Sequence, residues 1–468
     1  MEAIILNIEA IILKIVASIN TNLWNYILVF LLIGLGLFFT IKTKFVQIRC
    51  FGEGCRNVFG KMIDKSKNAN GISSFQSFAT AVAAQVGTGN IVGASGAILV
   101  GGPGAIFWMW VIAFFGMATI YAEAILAQKT RVVSEDGTVS GGPVYYIKKA
   151  FNNKFGKFLA GFFAVAAVLA LGFMGAMVQS NSIGEACANA FNIPGWSVGL
   201  VLVAVSASIL VFGAKGIAKF SEKIVPIMAA LYLVGGFIII GFRIQYIPET
   251  FGMIFKYAFE PKAILGGGIG AAILQGAKRG LFSNEAGMGS TPHAHALADV
   301  KDPHQQGTTA MISVFLDTFV VVTMTALIVI STLYAGQGGA PVLDGIVKTN
   351  AAQEAFKTVF TGSIGAKISE IFVAICLTFF AFSTIISWNL FGKINMEYLF
   401  GKKSGVIYSI IAIVFIFLGS CLSNDLVWEL TDTFNGLMVI PNAIALIALS
   451  GLVVCIKRKR DKKSDNEK

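Results

Sequence analysis

Charge is scarce in this sequence: Asp, Glu, Lys and Arg make up 13% of 468 residues, while 56% are hydrophobic. A soluble chain carries about a quarter charged residues and could not bury so much apolar surface. The apolar residues fall in long blocks, many reaching the ~18–20 residues that cross a hydrocarbon core. The class left standing is an all-α polytopic membrane protein. Histidine and cysteine are also few. Of Cys50, Cys55, Cys187, Cys376, Cys421 and Cys455, only the first two lie close together, and no histidine is near them in sequence. A zinc site wants tighter spacing and more ligands, so the cysteines read as reduced and structural. His293, His295 and His304 contain one His-x-His pair without an evident third ligand, and read as structural too. A charged n-region with a small-residue cleavage site is missing, so IILNIEAIILKIVASI at 4–19 is expected as an amphipathic interfacial helix instead.

The charges that are present are placed unevenly. A formal net charge of +11 raises nucleic acid as a partner, but the basic residues sit in short loops rather than along one stripe. Nucleic-acid binding is therefore set aside, and the tail IKRKRDKKSDNEK reads as a solvated segment at an anionic leaflet. Eleven spans are expected, at 24–41, 74–100, 104–128, 158–182, 197–213, 222–242, 263–291, 308–334, 367–391, 405–421 and 432–456. With the C-terminus inside, the inner loops and tail carry 27 Lys and Arg against 7 on the other face. That bias orients the chain in the cytoplasmic (inner) membrane with its N-terminus outside and its tail cytoplasmic.

Eleven spans divide into one leading span and two groups of five, and an odd group size makes the second copy cross in the opposite sense. The expected organisation is 1–73 (leading segment and loop), 74–242 (first repeat), 243–456 (second repeat) and 457–468 (basic tail). The first span of each group is interrupted by glycine and polar residues, QVGTGN at 85–90 and SNEAGMGS at 283–290. Polar groups and irregular backbone at bilayer depth are tolerated only against protein or a water-filled cavity. An unwound helix bares N–H groups on one half and C=O groups on the other, so it complements a carboxylate on one side and an ammonium or sodium ion on the other. Glycine lets the ligand approach the backbone without a β-carbon in the way. A small zwitterionic amino acid fits that pattern.

The runs QVGTGNIVGASGAI with GGPGAIFWMW (101–110), and GLFSNEAGMGSTPHAHA (280–296), resemble the alanine/glycine:cation symporter family over essentially the whole chain. The resemblance implies a LeuT-like five-plus-five inverted repeat with one additional N-terminal helix, and sodium-coupled alternating access for alanine or glycine. It implies that backbone around Thr88 and Gly89 receives the substrate carboxylate, with Gln85 and the backbone near Ser283 for the amino group, and Gly287 also at the substrate. Gln179 is expected to complete the polar shell, and Phe173, Phe282, Met288 and Trp388 to form walls. For sodium it implies Ser383 and Thr384 with the carbonyls of Ala83 and Val86, while Asn90 matches a second ion position in relatives that use two. No organic cofactor is implied. Glu285 is open to two readings, a proton-linked role or a fixed ion pair with Lys278 and Arg279, and Glu123 shares the ambiguity. Rival functions are a proton-coupled symporter, an uncoupled uniporter, and an intramembrane serine protease built on Ser95. The last lacks a base within reach, since every histidine is expected on the cytoplasmic face.

Overall fold

The computed structural model describes residues 2–60, 71–135, 137–260, 270–337 and 341–455. The basic tail at 457–468 and the start of the expected span 263–291 lie outside the described residues. Helix α1 (Glu2–Leu23) runs through a π turn (Trp24–Leu28) into α2 (Val29–Lys42). The stretch expected as an amphipathic interfacial helix at 4–19 is the first half of one continuous helix. Residues 2–33 contain neither Gly nor Pro, and Leu23 and Leu28 both keep right-handed helical angles, so nothing ends the first helix before the second begins.

After α3 (Phe51–Phe59), the first broken helix comprises α4 (Ser74–Gln85), a π segment (Gly89–Gly93) and α5 (Ala94–Gly101), bent by 47°. A capping box starts it, with Ser73 Oγ accepting from Gln76 N at 3.0 Å and Gln76 Oε1 accepting from Ser73 N at 3.2 Å. Then come α6 (Ala105–Thr130), the hairpin β1 (Val132–Val133) and β2 (Val139–Ser140), and α7 (Pro143–Ala150). α8 (Lys154–Ala167) continues through a π segment (Val168–Met174) into α9 (Gly175–Phe191), followed by α10 (Gly195–Leu210) and α11 (Gly213–Phe242).

Past α12 (Ile247–Ala258), the second broken helix comprises α13 (Ala271–Asn284) and α14 (Pro292–Leu297). α15 (Pro303–Val314) passes through a π segment (Phe315–Val322) into α16 (Thr323–Leu333), and α17 (Ala351–Lys357) is short. α18 (Ser363–Phe400), α19 (Ser404–Gly419) and α20 (Asn424–Ala448) complete the chain. Among the described residues, seven helices are long and apolar enough to cross a bilayer, or eight with the bent pair; α10 and α19 are apolar but have only 16 residues each. A helix or broken pair stands at each of the eleven expected places, and eleven crossings are proposed on that ground. Two of the expected loops extend the helix of a neighbouring span: 214–223 forms the start of α11, and most of 392–404 the end of α18. Their charged side chains sit on helix ends, where lysine stems reach water without breaking the backbone.

The two broken helices form the centre. Every residue from Ser77 to Ile98 and from Gly280 to Ala298 is buried. Their neighbouring halves are stitched together: Ile72 N donates to Leu297 O at 3.0 Å, Asp299 N to Ile72 O at 2.9 Å, and Ser77 Oγ to Ala294 O at 2.9 Å. By contrast α11 and α19 expose large apolar side chains on their outer faces, including Ile227, Val234, Phe237, Val406, Ile410 and Val414. The irregular backbone therefore lies against protein, with apolar helices around it, as a bilayer requires.

Candidate functional site

The first break opens because side chains take over backbone hydrogen bonds. Thr88 N donates to Gln179 Oε1 at 3.0 Å, and Gly87 N donates to Asn90 Oδ1 at 2.9 Å. Freed carbonyls at the end of α4 meet α18. Thr384 Oγ1 reaches Ala83 O at 2.9 Å and Ala84 O at 3.1 Å, and Ser383 Oγ reaches Ala83 O at 3.3 Å. Four neutral oxygens thus converge at a helix C-terminus, where the peptide dipole adds negative potential. A sodium ion fits that donor set, since hydroxyls can turn their lone pairs inward while the carbonyls already point there. Gln85 Oε1, Thr88 Oγ1 and Gln179 Nε2 are buried along the break without a hydrogen-bond partner. Buried polar atoms seldom stay unpaired, and a polar ligand would satisfy them.

The second break crosses the first at Gly89. A β-carbon there would stand 2.8 Å from Phe282 Cδ1 and 3.2 Å from Ser283 Cα, so only glycine allows this approach. Gln85 Nε2 donates to Asn284 O at 2.7 Å, tying the two interruptions directly. The chain leaves α13 through left-handed angles at Glu285 (φ 58°), Gly287 (φ 91°) and Gly289 (φ 84°). Asp317, from the π segment after α15, sits between the breaks. It accepts from Asn90 Nδ2 at 2.6 Å, from Ser283 Oγ at 2.8 Å and from Thr318 Oγ1 at 2.8 Å. It makes no ion pair among the described residues. Sequence reading missed it, although a lone acidic residue inside the apolar run SVFLDTFVVV is itself a signal of function.

Of the expected site residues, Ala83, Gln85, Thr88, Gly89, Asn90, Gln179, Phe282, Ser283, Ser383 and Thr384 come together at this crossing. Trp388 joins them, its ring 5.7 Å from that of Phe282 and edge-on to it. Val86 ends α4 there, and its carbonyl carries no hydrogen bond to the α18 hydroxyls, which turn to Ala83 and Ala84 instead. Met288 is buried in the second interruption, with its N–H on Glu285 O at 3.1 Å. Gly287 faces away: its N–H donates to Glu123 Oε2 at 3.2 Å, its carbonyl accepts from Asn442 Nδ2 at 2.9 Å, and a β-carbon would point at Leu32 of α2. Phe173 is not part of the set. It is partly exposed and stacks on Phe415 and Tyr408 of α19, because the helix turns Gly175, not Phe173, towards Trp388.

The expected ion pair of Glu285 is also corrected. Glu285 accepts hydrogen bonds from Trp388 Nε1 at 2.6 Å and from Ser290 Oγ. Lys278 and Arg279 turn to α20 instead, each 2.8 Å from Asp432 Oδ2. Arg279 also lies over the Trp428 ring at 4.5 Å, and that ring packs 4.8 Å from Phe282. Ions and aromatics so cover the crossing on one side. A cavity lined by Ser140, Leu297, Asn389, Lys393 and Glu397 lies next to the hairpin. All three histidines are buried and bonded: His293 to Ser290 O and Asn395, His295 to Gln306, His304 to Tyr121 and Glu53.

Residues 9–468 match the sodium:alanine symporter family. Among relatives, the chain is 41% identical to "Sodium/alanine symporter AgcS" of Methanococcus maripaludis, over 94% of this chain and 95% of that one. It is 40% identical to "Probable sodium/glutamine symporter GlnT" of Bacillus subtilis, over 95% of this chain and 90% of that one. Its fold is similar to that in the crystal structure of MhsT in complex with L-phenylalanine, a LeuT-like architecture. The TM-score is 0.59 at 13% identity, covering 84% of this chain and 98% of that one. With its family match spanning nearly every residue, the chain is a multi-pass membrane transporter, not an enzyme, and belongs to the sodium:alanine symporter family.

Proposed function

We propose that the protein imports a small neutral amino acid, alanine or glycine, by sodium symport through alternating access, with its C-terminus in the cytoplasm. One observation carries the reading: the hydroxyls of Ser383 and Thr384 meet the carbonyls of Ala83 and Ala84 where the first helix is interrupted. Sodium held there ties α18 to α4 and steadies the unwound backbone beside it. The substrate carboxylate takes the amide end near Thr88 and Gly89, displacing the Gln179 oxygen that Thr88 N holds here, and the unpaired oxygens and nitrogen of Gln85, Thr88 and Gln179 supply further contacts. Phe282, Trp388 and Trp428 crowd the same space, which supports a small side chain. An apolar wall grades substrates by about 1–3 kcal/mol per methylene, so larger neutral amino acids are slowed, not barred.

A second reading rests on Asp317, a buried carboxylate with no cation beside it, which supports either a second ion near Asn90 or proton coupling. One experiment separates these. Uptake of labelled alanine into proteoliposomes should rise with an imposed inward sodium gradient, and Ser383→Ala with Thr384→Ala should raise the sodium concentration needed for half-maximal uptake about tenfold or more, the loss of a charge-assisted contact. An unchanged sodium requirement overturns the α18 ion site, and uptake driven by a pH gradient without sodium overturns sodium symport.

A further inference from the structure

Cys50, Glu53 and His304 are far apart in sequence, and none takes part in the crossing of the broken helices. The fold nevertheless gathers them on the rim of the molecule. Cys50 stands immediately before α3 and Glu53 one turn into it, both half-buried. His304 lies on the first turn of α15 and is buried. α3 packs hard on α15: a β-carbon on Gly54 would come within 2.8 Å of both Thr308 O and Ile312 Cγ1, and Asn57 Nδ2 donates to Thr308 Oγ1 at 3.0 Å. This close approach brings the thiol sulfur, a carboxylate oxygen and a ring nitrogen within 4.8 Å of one another.

We propose that these three side chains form a binding site for a divalent transition-metal ion of the zinc type. The donor set is one thiolate, one imidazole and one carboxylate, the mixture that zinc and cobalt accept and that hard ions such as calcium and magnesium do not favour. Tetrahedral zinc would hold such atoms about 3.3–3.5 Å apart. His304 Nε2 and Glu53 Oε2 are already at 3.2 Å, and Cys50 and Glu53 are exposed enough to adjust by rotamer. The remaining ring nitrogen is held as well: His304 Nδ1 is 2.7 Å from Tyr121 Oη. A hydrogen bond from Nδ1 to an oxygen fixes the ring and leaves Nε2 as the ligand atom, the usual support of a metal-bound imidazole. Three protein ligands leave a fourth position for water on the open side. The ion would clasp α3 to the head of α15, whose continuation carries Asp317.

Cobalt(II) is the probe, because a cobalt–thiolate bond adds a charge-transfer absorption that other ligands do not give. Full-length protein, purified in detergent, is stripped with a chelator and titrated. One cobalt per chain with the thiolate band is expected for the wild type and for Cys55→Ser, which removes a neighbouring thiol outside the cluster. Cys50→Ser should abolish the band, and Tyr121→Phe should weaken binding about 10- to 100-fold. His304→Gln should weaken it at least as much, judged only if the variant elutes and melts like the wild type. As a second readout, zinc should slow alkylation of Cys50 in the wild type but not in Glu53→Gln. Absence of the thiolate band in the wild type, or a band that survives Cys50→Ser, overturns the site.

Discussion

One hydrogen atom in place of a methyl group decides how near the two interrupted helices lie. At Gly89 a β-carbon would stand 2.8 Å from Phe282 Cδ1, and the ring cannot retreat freely, since Trp388 and Trp428 both pack on it. Gly89→Ala should therefore cut the maximal uptake rate by tenfold or more while leaving membrane insertion intact, given that overpacking costs about 1–3 kcal/mol. Normal uptake by this variant, at wild-type membrane levels, would show that the helices need not approach so closely. Much at this scale was legible beforehand. The residues at the first break could be named because glycine beside Gln, Thr and Asn in an apolar span marks irregular backbone. Asp317 was not named, because a single carboxylate leaves no spacing pattern, and its partners Asn90 and Ser283 come from other helices. Phe173 was misplaced for a different reason: an aromatic residue in a span tells its helix, not which face of the helix it occupies.

Between elements, the contact of α13 with α20 concentrates charge where lipid-embedded proteins seldom allow it. Asp432 is almost wholly buried and faces both Lys278 and Arg279, while Glu429 is farther from Lys278 at 3.4 Å and partly exposed. Removing the shared acid takes from Arg279 its carboxylate and leaves Lys278 only the longer contact to Glu429, and breaking a buried pair costs about 3–5 kcal/mol. Asp432→Asn should accordingly lower the melting temperature of the purified protein far more than Glu429→Gln, which loses a partly solvated ion contact while its amide oxygen can still accept from Asn20 Nδ2. Equal shifts for both variants would show that Asp432 is not the anchor. Sequence alone flagged Lys278 and Arg279 but offered Glu285, the acid nearest along the chain, as their one possible ion partner; only the packing of α20 supplies the true partner. Helix ends were blurred for a related reason. Hydropathy falls at the charged starts and ends of α11 and α18, whereas the backbone hydrogen bonds run on.

Across the whole molecule, the distribution of basic residues makes a prediction independent of any site. With 27 Lys and Arg in the loops and tail of one face and 7 on the other, a fluorescent protein fused to the C-terminus should mature in the cytoplasm, and alkaline phosphatase fused there should be inactive. The reverse pattern would invert the proposed direction of transport. The long leading helix has its own effect at this scale. From Glu2 to Lys42 it is unbroken, roughly 60 Å at 1.5 Å per residue, about twice the hydrocarbon thickness of a bilayer. It must lean steeply or stand out of the hydrocarbon layer, and Ile11, Ile15 and Ile19 are bare along one stripe of its first half. Because Asn20 is bonded to Glu429 at 2.5 Å, its posture is coupled to α20 and the charged cluster there. The activity of reconstituted protein should then vary with the acyl-chain length of the host lipid, and a flat response would uncouple this helix from the rest: the leading segment would serve as a gauge of membrane thickness.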